Sequence, residues 1–275
     1  VLSILLLASV TVIGAPLSAH AANTASKVMP PFFSDSANHS MAVRPTATPP
    51  TLTGGKRCYY SACYYYAGAY QGGMTAAGAN VMLSQYRPTL GVNDSHSLAE
   101  LAVESNDGRQ VVEIGWTVDP TTNGDRNPHL FVYHWVNGGT SCYNGCGFVR
   151  TSKRTYPGMT VKSGVAKRFQ IEFANNRWQL TYDGVMFGYF PASLWKNTFT
   201  RTQFVQVFGE VSTTTTRAPK TAMGNGVLGT KVGSAMVLGY KPIRASNSPT
   251  LQTYVYGGSS KTYSIGRITA SSFSS

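Results

Sequence analysis

Carboxylates are what this chain has least of. Only 11 of its 275 residues are Asp or Glu, against 23 Lys and Arg, so the formal net charge is +12. Charged residues of both signs make up just 12% of the chain. That excludes an acidic disordered protein, and the shortage of Glu and Lys removes the usual material of coiled coils and helical bundles. Basic residues come as singles and pairs (Lys56-Arg57, Lys153-Arg154, Lys167-Arg168), with no longer run and no nucleic-acid-binding motif. Nucleic acid is not an expected partner.

Several kinds of chemistry are missing as well. The sequence holds no G-x-S-x-G, no H-E-x-x-H, no Walker loop and no dinucleotide fingerprint. Its five histidines are His20, His39, His96, His129 and His134. The last two lie five apart on an apparent strand, face opposite sides and cannot share a metal. No metal and no cofactor is expected. Cysteine is limited to Cys58, Cys63, Cys142 and Cys146, spaced C-x4-C and C-x3-C. Two short-loop disulfides are expected, with crossed pairings left open; the spacing fits a four-Cys zinc ribbon poorly.

Long apolar runs are absent beyond Leu2 to Ile13, which is short for a bilayer span. Followed by Gly14, Pro16 and Ala19-His20-Ala21, it matches a signal-peptide core and cleavage site, although no Lys or Arg precedes it. The expectation is a signal peptide at 1–21 and a secreted monomer with no membrane anchor. Residues 22–57, rich in Ser, Ala, Thr and Pro, read as a disordered lead-in or short pro-segment. Residues 58–275 read as one domain.

What the chain does have is 28 glycines, 16 tyrosines and short alternating segments. Strands are predicted at 111–118, 130–136, 169–173, 178–182, 204–211 and 234–240, with a last one at 253–256. Asn123-Gly124-Asp125, Asn137-Gly138-Gly139, Asn175-Asn176 and Asp183-Gly184 mark turns. This spacing predicts an all-β fold, an antiparallel β-sandwich of jelly-roll type. One short helix is predicted at 97–104, where Ser97 and Glu100 form a capping box and Leu98, Leu101 and Ala102 a stripe. A second helical turn is predicted at 192–195.

Eleven acids can be read one at a time. Asp35 lies in the lead-in, and Asp94, Asp107, Asp119, Asp125 and Asp183 sit in turn contexts. Glu100 and Glu104 read as a cap and a solvated partner on the helix, and Glu172 as an outward strand residue beside Gln170. Glu113 and Glu210 stand apart, each a lone acid in an apolar strand with glycine close by. An outward-facing glutamate on a half-exposed sheet still explains either of them. Two such acids facing each other would instead share a proton.

The order of motifs resembles the neprosin family of glutamic peptidases. They are Tyr66-Ala67-Gly68, Ser97-Leu98, Glu113-Ile114-Gly115-Trp116, Gly124-Asp125, Leu130-Phe131-Val132-Tyr133 with Trp135, and Cys142-Tyr143-Asn144 through Cys146-Gly147-Phe148-Val149. Gly188 through Leu194, Phe208-Gly209-Glu210-Val211 and Met223-Gly224-Asn225-Gly226 complete the set. The resemblance implies a sandwich with a cleft on one sheet face and a catalytic pair at Glu113 and Glu210. It also implies endopeptidase activity on proteins or peptides at acid pH, with cleavage after proline. Tyr133, Tyr189 and Phe208 are then candidates for the cleft wall, since rings stack on proline, and Gln206 for a hydrogen bond to the tetrahedral intermediate. Trp116, Trp135 and Trp178 read as core. Plant members carry Gly-Gly-Glu-Val where this chain has Phe208-Gly209-Glu210-Val211, so a ring stands beside the second glutamate. Two other readings fit the residues: a jelly-roll glycoside hydrolase, which also uses two carboxylates, and a non-catalytic carbohydrate- or wall-binding sandwich.

Overall fold

The computed structural model describes residues 62–139, 141–256 and 262–275, and the backbone of 57–59. The expected signal peptide and lead-in lie outside the described residues. The strands are β1 (Arg57–Tyr59), β2 (Ala62–Gln71), β3 (Gly78–Gln85), β4 (Asp94–Glu104), β5 (Val111–Val118), β6 (His129–Trp135) and β7 (Val149–Arg150). They continue with β8 (Val165–Ala174), β9 (Arg177–Tyr182), β10 (Val185–Pro191), β11 (Phe204–Thr213), β12 (Met236–Ile243), β13 (Gln252–Tyr256) and β14 (Phe273–Ser274). One sheet runs β1-β2-β11-β4-β5-β6, with β13 also on β2, and the other β14-β12-β3-β8-β9-β10-β7. Neighbouring strands are antiparallel, so the expected sandwich is present.

Turn chemistry acts where the sequence placed it. Asn175 and Asn176 both take positive φ (53° and 55°) between β8 and β9, and Asp183 and Gly184 do so (48° and 83°) between β9 and β10. Asn and Gly tolerate that left-handed backbone, which matches the twist of the flanking strands. Asp119 caps a single helical turn, α1 (Pro120–Asn123), by accepting from the Thr121 and Thr122 amides. The expected turn at Ala192–Trp195 is a 3₁₀ helix.

The other predicted helix does not form. Residues 97–104 lie within β4, the central strand of the first sheet, paired along its length with β11 and β5. Its leucines and alanines are good helix formers, yet two flanking strands supply a full ladder on either side, and tertiary pairing overrides local propensity. The stripe that looked helical arises because both faces are buried. Leu101 and Val103 enter the core between the sheets, while Leu98 and Ala102 pack on the opposite face.

Burial on both faces runs through the whole first sheet. Every residue of β5, β6 and β11 is buried. Inward, Val112, Ile114, Trp116, Val205 and Val207 pack against Val81, Phe169, Ile171, Trp178 and Leu180 of the second sheet. The Trp116 indole N–H crosses to the Ser84 carbonyl at 3.0 Å and ties the sheets together. Outward, Tyr64, Tyr66, Tyr70, Phe131, Tyr133, Trp135, Phe204, Phe208 and Tyr254 form a second apolar layer. The second sheet is ordinary by comparison: β9 alternates buried with half-buried residues, and Glu172 faces outward to Arg244 at 2.6 Å.

Cys142 and Cys146 form the expected local disulfide. Cys63 is disulfide-bonded as well, and the backbone register sets it opposite Cys58, whose side chain lies outside the described residues.

Candidate functional site

Strand alternation and register decide which side chains meet. Residues directly opposite one another share a face, so Glu210 and Leu98, Phe208 and Glu100, and Gln206 and Ala102 point the same way. On the other side of β4, Glu100 lies opposite Gly115 and Ala102 opposite Glu113. Glu113 in turn lies opposite Tyr133. The outward face of the first sheet therefore carries Glu100, Glu104, Glu113 and Glu210 together, all at most 2% exposed.

Their arrangement is a diagonal. Glu113 sits one strand from Glu100 and displaced two residues one way; Glu210 sits one strand to the other side, displaced two residues the opposite way. Diagonal neighbours in an antiparallel sheet lie about 7–8 Å apart, within reach of long side chains. Glu100 is thus midway between the two acids that stood apart in the sequence.

Both outer acids are held by hydrogen bonds, Glu210 by His96 and the Tyr66 hydroxyl and Glu113 by Trp135. The Trp135 indole N–H donates to Glu113 Oε1 at 2.9 Å. His96 Nε2 meets Glu210 Oε1 at 2.6 Å, and its Nδ1 meets Ser212 Oγ at 3.0 Å, so a Ser212–His96–Glu210 chain orients the second carboxylate. The remaining oxygens, Glu113 Oε2 and Glu210 Oε2, are buried without a hydrogen-bond partner, and so are both oxygens of Glu100. Buried carboxylates without donors are costly to ionise. Burial pushes the Glu100 carboxyl well above its usual range, and Glu113, Glu210 and Glu104 add to the rise. Glu113 is likewise held well above, by burial, with the Trp135 bond opposing and Glu104 and Glu210 adding. Burial also raises Glu210, opposed by the hydrogen bond and charge of His96 and by the Tyr66 hydroxyl. Glu210 is thus the acid with the most help in carrying negative charge.

Glu104 ends the row. It accepts from Gln206 Nε2 at 2.5 Å, and the Gln206 carbonyl oxygen accepts from the Tyr254 hydroxyl at 3.1 Å. Burial pushes Glu104 up to about 8. Gln206 shares the face of Glu210, as its offset predicts, with its amide held between these two partners.

Of the expected wall residues, Tyr133 and Phe208 are on this face and Tyr189 is not. Tyr133 packs against Trp135 and Tyr143 with ring centroids 5.3 and 5.1 Å apart. Phe208 meets Tyr66 edge-on at 5.7 Å. Tyr189 sits in the second sheet, where Phe190 takes the core position. Alternation then turns Tyr189 outward, and the Arg177 guanidinium lies 4.3 Å from its ring. Trp116 and Trp178 are core, as expected, whereas Trp135 belongs to the carboxylate face. His129 and His134 do face opposite ways: His129 bonds Asp125 at 2.9 Å, and His134 is buried against Phe190 and Trp195. Among the described residues no three His, Cys, Asp or Glu side chains gather as a metal-binding group.

Sequence reasoning missed Glu100, Glu104, His96, Tyr66 and Tyr143. Glu100 and Glu104 were hidden by the helical reading of 97–104, and His96, one residue before it, belongs to the same strand; at period two, His96, Leu98, Glu100, Ala102 and Glu104 fall on one face. Tyr143 comes from a loop closed by the Cys142–Cys146 disulfide and is fixed by Asn144, whose side-chain oxygen accepts from the Val132 amide at 3.1 Å. Its ring packs on Phe131 at 5.5 Å, and its hydroxyl feels Glu210, Glu100 and Glu113.

Gly115 makes the centre of the row possible. A Cβ there would clash with the Ala99 carbonyl oxygen and come within 2.8 Å of Glu100 Cβ and Phe131 Cε1. Overpacking of this kind costs about 1–3 kcal/mol. Gly115→Ala is therefore expected to lower Tm by several degrees in a thermal melt; an unchanged Tm would show that the strands have room to part.

A family model described as Neprosin matches residues 93–273. Among solved structures, the chain is similar to Scytalido-glutamic peptidase with a peptide-based transition state analogue, at 9% identity and TM-score 0.38, covering 76% of this chain and 96% of that one. It is also similar to CG-16, a homodimeric agglutinin from chicken liver, at 13% identity and TM-score 0.31, covering 58% and 99%. A third likeness is to the apo Crh5 transglycosylase, at 12% identity and TM-score 0.31, covering 54% of this chain and 52% of that one. At such identities and TM-scores these structural likenesses assign no chemistry. The family match stands on its own span, roughly two thirds of the sequence, and by it the chain belongs to the neprosin family of glutamic peptidases.

Proposed function

We propose that this protein is a secreted glutamic endopeptidase that works at acid pH and cleaves after proline, with Glu113 and Glu210 as its catalytic residues. The observation that carries the reading is the row of buried carboxyls on one ring-lined sheet face, with Glu113 and Glu210 clamped at its ends. Glu210, oriented by His96, is the base. Ionised, it takes a proton from a water as the water oxygen bonds to the scissile carbonyl carbon. Glu113, whose carboxyl holds its proton more tightly, donates to the carbonyl oxygen; as the C–N bond breaks, Glu210 passes the proton it took from water to the departing nitrogen and Glu113 recovers its own from the collapsing diol. Tyr133 and Phe208 are the rings best placed to hold a proline, while Gln206, held between Glu104 and Tyr254, braces the far end of the row. Export is supported by the signal-like segment and by cysteines that pair.

Incubating the purified full chain with a peptide containing one internal proline, from pH 3 to 8, tests this reading. Cleavage on the carboxyl side of proline is expected, strongest at acid pH and unaffected by EDTA or serine-peptidase inhibitors. Sugar release from polysaccharide in place of peptide cleavage would overturn it.

A further inference from the structure

We propose that Glu100 is a third catalytic residue, a protonated acid whose O–H donates a hydrogen bond to the scissile carbonyl oxygen as the tetrahedral intermediate forms. The inference rests on the peptidase reading above and deepens it. Its basis is position: β4 lies between β11 and β5, and Glu100 stands midway along the diagonal from Glu210 to Glu113.

A peptide bond served by both outer acids has to lie over this residue. Two diagonal steps put the outer backbones about 15 Å apart. Three things fit in line between the carboxyl groups: a water hydrogen-bonded to one acid, a carbonyl carbon in attack range of it, and a carbonyl oxygen hydrogen-bonded to the other acid. Together they span about 9–10 Å. The two side chains supply the rest, and Glu113 feels the charge of Glu210 across the gap. The scissile carbonyl then sits over the middle of the row, where Glu100 is.

The hydrogen bonds fit this role. Glu113 and Glu210 are each bonded through Oε1, whereas neither oxygen of Glu100 has a partner. The side chains opposite it, Phe208 and Gly115, offer it no donor. A buried carboxyl left without partners is costly in a merely structural cluster. Burial holds it protonated, and the acids that face it, Glu113 on β5, Glu210 on β11 and Glu104 on its own strand, reinforce this. The Tyr143 and Tyr254 hydroxyls also face it and are neutral throughout the acid range. His96, the base on this face, is engaged by Glu210 and Ser212.

A neutral acid in a site closed to water donates a strong hydrogen bond without giving up its proton. The carbonyl oxygen has two lone pairs. One takes the Glu113 proton, and the other accepts from Glu100, whose O–H bond stays intact throughout. The proton exchanges of Glu113 and Glu210 are unchanged, and nothing has to be returned to Glu100 after turnover.

The test compares wild type, Glu100→Gln and Glu100→Met in the full chain. Glutamine keeps a donor on an arm of the same length, and methionine keeps the length and neutrality with no donor. With the proline-containing peptide at acid pH, Glu100→Gln is expected to keep kcat within a few-fold of wild type. Glu100→Met should lose about 10²–10³-fold in kcat, the cost of one oxyanion donor, with KM little changed. It should also bind a phosphinic peptide, which mimics the tetrahedral intermediate, more weakly by a similar factor. Infrared spectra at the assay pH should show that Glu100→Gln removes a protonated carboxyl band, a readout that does not depend on how the methionine variant folds. A Glu100→Met kcat equal to wild type, or a Glu100→Gln kcat that falls as far as that of Glu100→Met, overturns the assignment and leaves the peptidase reading standing. A loss confined to KM, or an unchanged carboxyl band, does the same. A wild type that cleaves no peptide overturns both.

Discussion

Glu210→Gln and Glu113→Gln are each expected to lower peptide turnover by about 10²–10⁴-fold while the domain melts at or above its wild-type temperature. Both substitutions preserve shape. The Trp135 N–H that meets Glu113 Oε1 at 2.9 Å finds the same acceptor in a glutamine carbonyl, as does His96 at position 210. What each variant loses is a proton that can be given or taken. Stability moves the other way, because a neutral amide carries none of the cost of ionising a carboxyl that is at most 2% exposed. The two variants should also differ from each other. Glu210 is the base, so its loss removes water activation, and nucleophiles stronger than water, such as hydroxylamine, should restore part of the rate. Glu113→Gln should not respond to them. Steady-state assays with thermal melts decide the matter: near-normal kcat in either variant removes that residue from the mechanism, and a collapsed Tm in both would make the acids structural.

The same chemistry sets the pH profile of turnover. Glu210 must be ionised and Glu113 protonated, and burial raises both, Glu113 the further. Activity should fall at low pH as Glu210 takes up its proton and at higher pH as Glu113 loses its own. Both limbs lie above the usual glutamate range.

Much of this architecture could be read from the residues. β5 occupies the predicted 111–118, β9 and β13 begin one residue earlier than predicted, and β6 is shifted by one residue at both ends. The Asn and Asp-Gly turns use the backbone freedom their composition announces. Glu113 and Glu210 stood out because acids interrupt otherwise apolar strands. β4 was misread because a strand buried on both faces loses the alternation that marks a strand, and Leu-Ala-Glu composition then mimics a helix. That single error concealed Glu100 and Glu104, so the two outer acids were visible without the acid between them. Tyr189 failed for a different reason: its motif was legible, but only the register of β10 decides which face a residue takes.

Stability should itself depend on pH, and with an unusual sign. Most proteins lose stability in acid because native carboxylates are held below their unfolded pKa. Here Glu104 is pushed up to about 8 from an ordinary value near 4.5, and burial raises Glu100, Glu113 and Glu210 in the same direction. A raised carboxyl binds its proton more tightly in the native state. Its contribution is therefore complete below about pH 4.5 and is lost as pH climbs through the folded value, near 8 for Glu104. The Glu104 shift alone corresponds to roughly 4–5 kcal/mol over that window, enough to lower Tm by about 10 °C or more. Repulsion among the excess basic residues, formally +12, opposes this slightly, since net positive charge shrinks as pH rises. Glu104→Gln separates the two effects. Its amide still partners Gln206 but cannot ionise, so its Tm should match wild type near pH 4 and exceed it increasingly toward pH 8. A wild-type Tm that climbs from pH 5 to 8, or a variant that tracks wild type throughout, would mean that Glu104 ionises without penalty, and with it that the carboxylate face is open to water.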